Sequence, residues 1–191
     1  MATRTHPKTT PSKPPTASER SEDEQVTAKF RDVVGHFPTG VAIVTGVSPH
    51  GPLGLTIQSF IALSLDPTMV LISIDRGSSS WPAIRATGKF VVNILSSRQE
   101  AIARSFAISG GPKFAEVQWS PGNCTQAPVI ANCQAWVECE IDECYPGGDH
   151  EIITAHVLSL GSVEDPHSHP LVYFRSKFPR LDRDHWASLV S

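Results

Sequence analysis

The stretch Leu53-Gly54-Leu55-Thr56-Ile57-Gln58-Ser59-Phe60-Ile61-Ala62-Leu63-Ser64-Leu65-Asp66-Pro67-Thr68-Met69-Val70-Leu71-Ile72-Ser73-Ile74-Asp75 decides the fold class. It reads as three β-rich runs, Leu53 to Gln58, Phe60 to Leu65 and Met69 to Asp75, separated by a few residues each. Connections this short imply antiparallel pairing, because a parallel pair needs a crossover of about a dozen residues or more. Working outward, Val41 to Thr45 and Phe90 to Leu95 are further strands, and Pro49, Gly51, Pro67 and Gly88 punctuate the set. Later, Ala135, Val137, Cys139 and Ile141 alternate with Trp136, Glu138, Glu140 and Asp142, which predicts a half-buried strand with a polar outer edge. Glu151 to Leu160 returns after the Pro146-Gly147-Gly148-Asp149 turn as a hairpin, and Leu171 to Arg175 is a last strand.

Helices occupy the margins of this pattern. Ser21-Glu22-Asp23-Glu24 has the form of a capping box ahead of Val26, Phe30, Val33, Val34 and Phe37 at helical spacing. Ser79 and Ser80 can cap a short helix over Trp81 to Ala86, and Ser97-Arg98-Gln99-Glu100 opens another that carries Ile102 and Phe106 before Gly110. Six or more short strands without a βαβ rhythm predict a mainly β fold, a closed or nearly closed antiparallel barrel with short helices at its edges.

Composition sets the function classes. A chain of 191 residues with 40% hydrophobic and 18% charged residues fits one folded domain. The formal charge of -3 includes no basic stripe, which argues against nucleic acid and against an acidic membrane surface. No apolar run approaches the roughly 20 residues of a membrane span. Cys124, Cys133, Cys139 and Cys144 contain no Cys-x-x-Cys pair and read as reduced thiols that pack as small hydrophobes. Residues 1–20, rich in Thr, Ser and Pro, are expected to be a disordered tail, 21–183 the folded domain, and 184–191, with Trp186, a polar C-terminal tail. The leader lacks the amphipathic Arg-rich face of a transit peptide and no secretory signal is evident, so the expected location is the cytoplasm.

No Gly-x-Gly-x-x-Gly, Walker loop, Gly-x-Ser-x-Gly elbow or His-Glu-x-x-His motif occurs, and His167-Ser168-His169 reads as a solvated turn and not as a metal site. What remains is a set of short polar side chains at strand ends: Thr56, Gln58, Ser59 and Phe60, then Asp75 through Trp81, then Asn93. Hydroxyls, backbone N–H groups and Arg76 suit a planar ligand that carries phosphate. Ordinary turn-forming and helix-capping is the favoured account of the same residues at this stage.

Phe37-Pro38-Thr39-Gly40-Val41-Ala42-Ile43-Val44-Thr45, Gly54-Leu55-Thr56-Ile57-Gln58-Ser59-Phe60 and Ser64-Leu65-Asp66-Pro67 add up to a closer match. With Ser78-Ser79-Ser80-Trp81-Pro82-Ala83-Ile84, Phe90 to Leu95, Lys113-Phe114, Gly148-Asp149-His150 and Pro170-Leu171-Val172-Tyr173, the chain resembles the flavin reductase-like, FMN-binding split-barrel family from about Phe30 to Leu181. The resemblance implies a split barrel, usually a homodimer, that uses NADH or NADPH to reduce FMN or FAD and supplies reduced flavin to a separate oxygenase. By position it implies that Thr56, Gln58, Ser59 and Phe60 lie against the isoalloxazine ring. Asp75, Arg76, Ser78, Ser80 and Trp81 would wrap the ribityl phosphate with Asn93 supporting that loop, and His150 with Tyr173 would place the nicotinamide nucleotide. Three positions depart from the common pattern: Gln58 stands where many members have Asn, Ser79 where many carry a basic residue, and Ser176 where glycine is frequent.

Two other readings share the barrel. One is a non-catalytic flavin carrier, which purification colour would reveal. The other is a pyridoxamine-phosphate-oxidase-like enzyme, against which the Gly-Asp-His turn argues. NADH is favoured over NADPH because Arg76 is committed to the flavin phosphate and no spare basic pair is evident for a 2′-phosphate.

Overall fold

The computed structural model describes residues 17–163 and 169–181, apart from the side chains of residues 17–22. The chain divides into two compact units, Met1–His36 and Phe37–Ser191. The first contains α1, Ala17–Val34. The helix begins four residues before the capping box at Ser21, because Ala17, Glu19 and Arg20 are themselves compatible with helix. The helix thus spans residues on both sides of the expected boundary at residue 20, and the expected C-terminal boundary, with Trp186, lies outside the described residues. Val26, Phe30 and Val33 of α1 are exposed in the single chain.

The second unit is built on antiparallel strands. They are β1 Thr39–Gly40, β2 Ala42–Ser48, β3 Gly51–Ile57, β4 Ile61–Leu65, β5 Thr68–Asp75, β6 Lys89–Ile94, β7 Trp119–Pro121, β8 Pro128–Ile130, β9 Ala135–Gly147, β10 His150–Ser162 and β11 Val172–Tyr173. Two helices complete it, α2 Trp81–Ala86 and α3 Glu100–Ala107. Seven strands form one sheet in the order β3-β2-β6-β9-β10-β5-β4, and β1 pairs with β11 and β7 with β8 in two small ladders. The last strand is two residues long, shorter than the expected Leu171 to Arg175, since Arg175 and Ser176 take positive φ and end it.

The sheet curls into a barrel without a complete ladder around it. Its two edges, β3 and β4, are consecutive in sequence and are joined by Gln58, Ser59 and Phe60 alone. Where β4 stops opposite Leu71, the free edge of β5 is met by a side chain: Ser59 Oγ accepts from Ser73 N–H at 2.9 Å and donates to Ser73 O at 2.6 Å. Inside lies a core of Ala42, Val44, Ile72, Ile74, Phe90, Val92, Cys139 and Ile153, capped by Trp81 and Ile84 of α2. A second core, with Val41, Ile43, Leu95, Ala103, Phe106 and Ile130, fills the space between β2 and α3. Burial on both faces explains why Ala42 to Val44 reads as a continuous apolar run and not as an alternation.

Three local expectations are corrected. Glu138, expected on the polar outer edge of β9, is 1% exposed because the loop after β7 folds over it. Its carboxylate accepts hydrogen bonds from the N–H groups of Asn123, Cys124 and Thr125 and from the Thr125 hydroxyl, at 2.8 to 3.1 Å. At α2, Ser80 occupies the cap position without a capping side-chain bond, and Ser78 Oγ instead accepts the Trp81 N–H at 3.3 Å. The turn that leads into α3 carries its capping box at Ser96 and Gln99, one residue early, with Ser96 N–H donating to Gln99 Oε1 at 3.0 Å. Of the His167-Ser168-His169 turn, the first two residues lie outside the described residues.

Candidate functional site

The segment that bridges the sheet edges and the end of β5 converge on one cavity. Its volume is about 430 Å³, and Thr56, Gln58 and Ser59 line it from one side, Ser73 and Asp75 from the other, with His150 at the start of β10. Asp75 and His150 are direct cross-strand partners in the β5–β10 ladder, so the register itself puts the histidine at the mouth. A second cavity of about 320 Å³ continues along β3, lined by Leu53, Gly54, Ser79, Ser80 and Lys113. Two larger cavities of about 490 Å³ each share Gln118, Ile130 and Cys133 in their walls and contain none of the expected site residues.

The loop after β5 is tightly tied. Asp75 Oδ1 accepts the Gly77 N–H at 2.7 Å, Asp75 O accepts the Ser78 N–H at 3.0 Å, and the Arg76 N–H donates to Asp149 O at 3.0 Å. That last bond joins the loop to the β9–β10 hairpin, whose Gly148 turns at a φ of 75°. Within the hairpin, His150 Nδ1 lies 2.7 Å from Asp149 Oδ1. This hydrogen bond and the nearby imidazole charge hold the Asp149 carboxyl below the ordinary aspartate pKa. An ionised acceptor on Nδ1 makes that nitrogen the donor and leaves Nε2 to other partners.

The expected residues divide by what their side chains already do. Gln58 is exposed, and its Oε1 accepts from Thr39 Oγ1 at 3.2 Å. Thr39 pairs in register with Tyr173, whose ring packs edge-on against Phe178 at 5.2 Å and lines neither cavity. Thr56 Oγ1 donates to Ala103 O at 2.7 Å and ties β3 to α3, and Ser59 is engaged with Ser73. Phe60 packs partly buried against the barrel core. Arg76 is exposed and lines neither cavity. Trp81 is buried, with its indole N–H donating to Glu151 Oε2 at 2.8 Å.

Asn93 is the clear departure. It is fully buried, its Nδ2 donates to Ile43 O, Thr45 Oγ1 and Pro128 O, and its Oδ1 accepts the Ile130 N–H at 2.8 Å. All these partners belong to β2 and β8 and none to the loop after β5, so Asn93 ties the two cores together and does not support that loop. Three residues without an assigned role in the sequence reading also matter: Thr39 holds Gln58, Glu151 holds α2, and Lys113 enters the second cavity. Glu151 immediately follows the Gly-Asp-His turn, and that adjacency was the available signal.

No nucleophile with an attached base lines either cavity; amides, hydroxyls and backbone edges suit holding and orienting a flat, phosphate-bearing molecule. The sequence model of the family described as "Flavin reductase like domain" matches residues 34–182. The chain belongs to the flavin reductase-like family. It is 35% identical over 162 residues to the reductase subunit HsaB of a flavin-dependent monooxygenase from Mycobacterium tuberculosis, covering 82% of this chain and 86% of that one. A flavin reductase from Pseudomonas putida is 37% identical over 145 residues, 75% of this chain and 84% of the relative. Among solved structures, an NADH:FAD oxidoreductase from Streptomyces globisporus, solved in complex with NAD and FAD fragments, superposes with a TM-score of 0.78. Identity there is 34%, over 85% of this chain and 96% of that one. The split barrel of this family is the architecture seen here, with the Gln58–Phe60 bridge at its seam.

Proposed function

We propose that this flavin reductase-like chain takes hydride from NADH, or NADPH, delivers it to FMN or FAD, and hands the reduced flavin to a separate oxygenase. The observation that carries the reading is the single cavity in which Gln58, Ser59, Asp75 and His150 meet. When bound, the flavin and the nicotinamide supply the redox chemistry themselves, so the protein's task is to hold and orient them. Gln58, positioned by Thr39, offers amide edges to the ring. His150, with Nδ1 engaged by Asp149, presents Nε2 on the nicotinamide side. The tied loop from Asp75 to Trp81 forms the wall beside the ribityl chain.

We further propose that two copies associate. Val26, Phe30 and Val33 of α1, and Ile61 and Leu65 of edge strand β4, are large apolar side chains exposed in the single chain. A second copy would remove them from water. No helix among the described residues is long and apolar enough to cross a membrane, and a cytoplasmic location remains part of the proposal.

The test is to mix purified protein with FMN or FAD and NADH and follow loss of nicotinamide absorbance. Turnover with at least one flavin is expected; none with either overturns the reading. Sedimentation velocity should return twice the chain mass, and a monomer at micromolar concentration would remove the dimer.

A further inference from the structure

We propose that Thr39 is a positioning residue: by holding Gln58 Oε1 it turns the N–H end of that amide into the cavity, where it favours reduced flavin over oxidised flavin. This deepens the functional reading above and rests on its placement of the flavin ring beside Gln58.

Gln58 does not set the direction of its own amide. The last torsion of a glutamine side chain is broad and roughly two-fold, so its stereochemistry leaves either end free to face the cavity. The two ends are chemically opposite, one an acceptor and the other a donor. The side chain is exposed, at the bridge between β3 and β4, and packing does not choose between them. Among the described residues the choice is made by Thr39, whose Oγ1 donates to Gln58 Oε1 at 3.2 Å.

Thr39 is itself held in place. It is β-branched and stiff at χ1, and its backbone is pinned where β1 pairs Thr39 with Tyr173 and Gly40 with Val172. Two residues on, Val41 O accepts the Leu95 N–H at 3.1 Å and fastens the same segment to the barrel. The hydroxyl therefore comes from a fixed frame. Thr39 lines neither cavity, so its influence on a bound molecule passes through Gln58.

With Oε1 engaged, both Nε2 hydrogens remain to be given. The neighbouring polar side chains on this wall have spent theirs: Thr56 Oγ1 donates to Ala103 O and Ser59 Oγ to Ser73 O. Gln58 is thus the side-chain donor that residues 56–59 keep for a ligand. Reduction adds an electron pair and negative charge to a flavin ring, and a hydrogen bond to a charged acceptor is about twice as strong as one to a neutral acceptor. A donor already fixed in direction gives that gain without reorganising. The reversed amide would set an oxygen against the added charge and favour the oxidised ring, so the Thr39 bond decides the sign.

The experiment measures Kd for oxidised FMN and, under anaerobic conditions, for dithionite-reduced FMN by calorimetry, with FAD in its place if FAD is the flavin turned over. The wild-type chain is expected to bind the reduced form more tightly. Thr39→Val, isosteric but without the hydroxyl, should raise the Kd for reduced flavin about fivefold and that for oxidised flavin less than about twofold. Thr39→Ser restores the hydroxyl and should restore the wild-type ratio. In a Gln58→Ala background, Thr39→Val should change neither Kd further, since the two residues act as one unit. Gln58→Glu, at an exposed position that the fold does not depend on, offers no N–H and should reverse the preference. Equal binding of the two redox forms by the wild-type chain overturns the proposal, as does a Thr39→Val effect that is absent, equal for both forms or undiminished without Gln58. An unchanged ratio in Gln58→Glu overturns it too. Failure of the functional reading looks different: no NADH oxidation with any flavin, whatever the ratio of the two Kd values.

Discussion

The Glu151 carboxylate accepts the Trp81 indole N–H at 2.8 Å, so the residue after the Gly-Asp-His turn holds the first residue of α2. Its other oxygen accepts from Arg85 Nη1 at 2.9 Å. One side chain thereby ties the helix that follows the hydroxyl-rich loop to the strand that begins with His150. Replacing Glu151 with Ala leaves a buried indole donor without a partner, which costs about 1–3 kcal/mol. Urea unfolding should show that loss, together with weaker flavin binding. A variant with unchanged flavin affinity would confine Glu151 to stability.

His150→Ala should raise the KM for NADH more than the KM for flavin, since the imidazole faces the nicotinamide side in the proposed arrangement. Steady-state kinetics with each substrate varied in turn make the comparison. Equal increases would remove His150 from nucleotide placement.

Glu138 makes a further prediction, about the fold alone. Glu138→Ala strips partners from three backbone N–H groups and one hydroxyl at once, and should cost about 3 kcal/mol or more in chemical denaturation. Glu138→Gln keeps the shape but loses the charge-assisted acceptor, and should fall between wild type and Ala.

The thiols differ in burial. Burial pushes Cys133 up to about 11 and Cys139 up to about 12, whereas Cys124 is exposed. At pH 8 a thiol reagent should modify Cys124 rapidly and leave Cys133 and Cys139 unmodified until the protein unfolds. The linkage runs one way: both folded-state values lie above those of an unfolded thiol, so the unfolded chain loses these protons first as pH rises. Stability should therefore fall above about pH 9, by about 1.4 kcal/mol per pH unit for each thiol until its folded value is reached. A flat stability profile from pH 9 to 10.5 would contradict this burial.

Much of this was legible in the residues. Runs such as Met69 to Asp75 announce strands because one face of each is apolar, and Trp81 to Ala86 is the helix its flanking residues imply. That Thr56, Gln58 and Ser59 share a cavity with Asp75 and His150 agrees with the grouping the family resemblance implied, whereas Phe60 packs against the core. What escaped depends on objects distant in sequence. The alternation around Glu138 reports two faces of a strand but not that a loop covers the second. Asn93 carries the same amide whether it meets a ligand or, as here, the carbonyls of Ile43 and Pro128. β7 and β8 are three residues each and contain prolines, too short for any periodicity to register.

The stitch between Ser59 and Ser73 bears on turnover. An enzyme that surrenders its reduced product to another protein must let go of it every cycle. A barrel zipped by a full ladder would have to break a row of backbone bonds to widen at that line, whereas here two hydrogen bonds to one hydroxyl, worth about 1 kcal/mol apiece, hold the lips together. In the proposed arrangement the flavin sits beside this stitch, so the closure nearest to it is made by a side chain and not by a strand ladder.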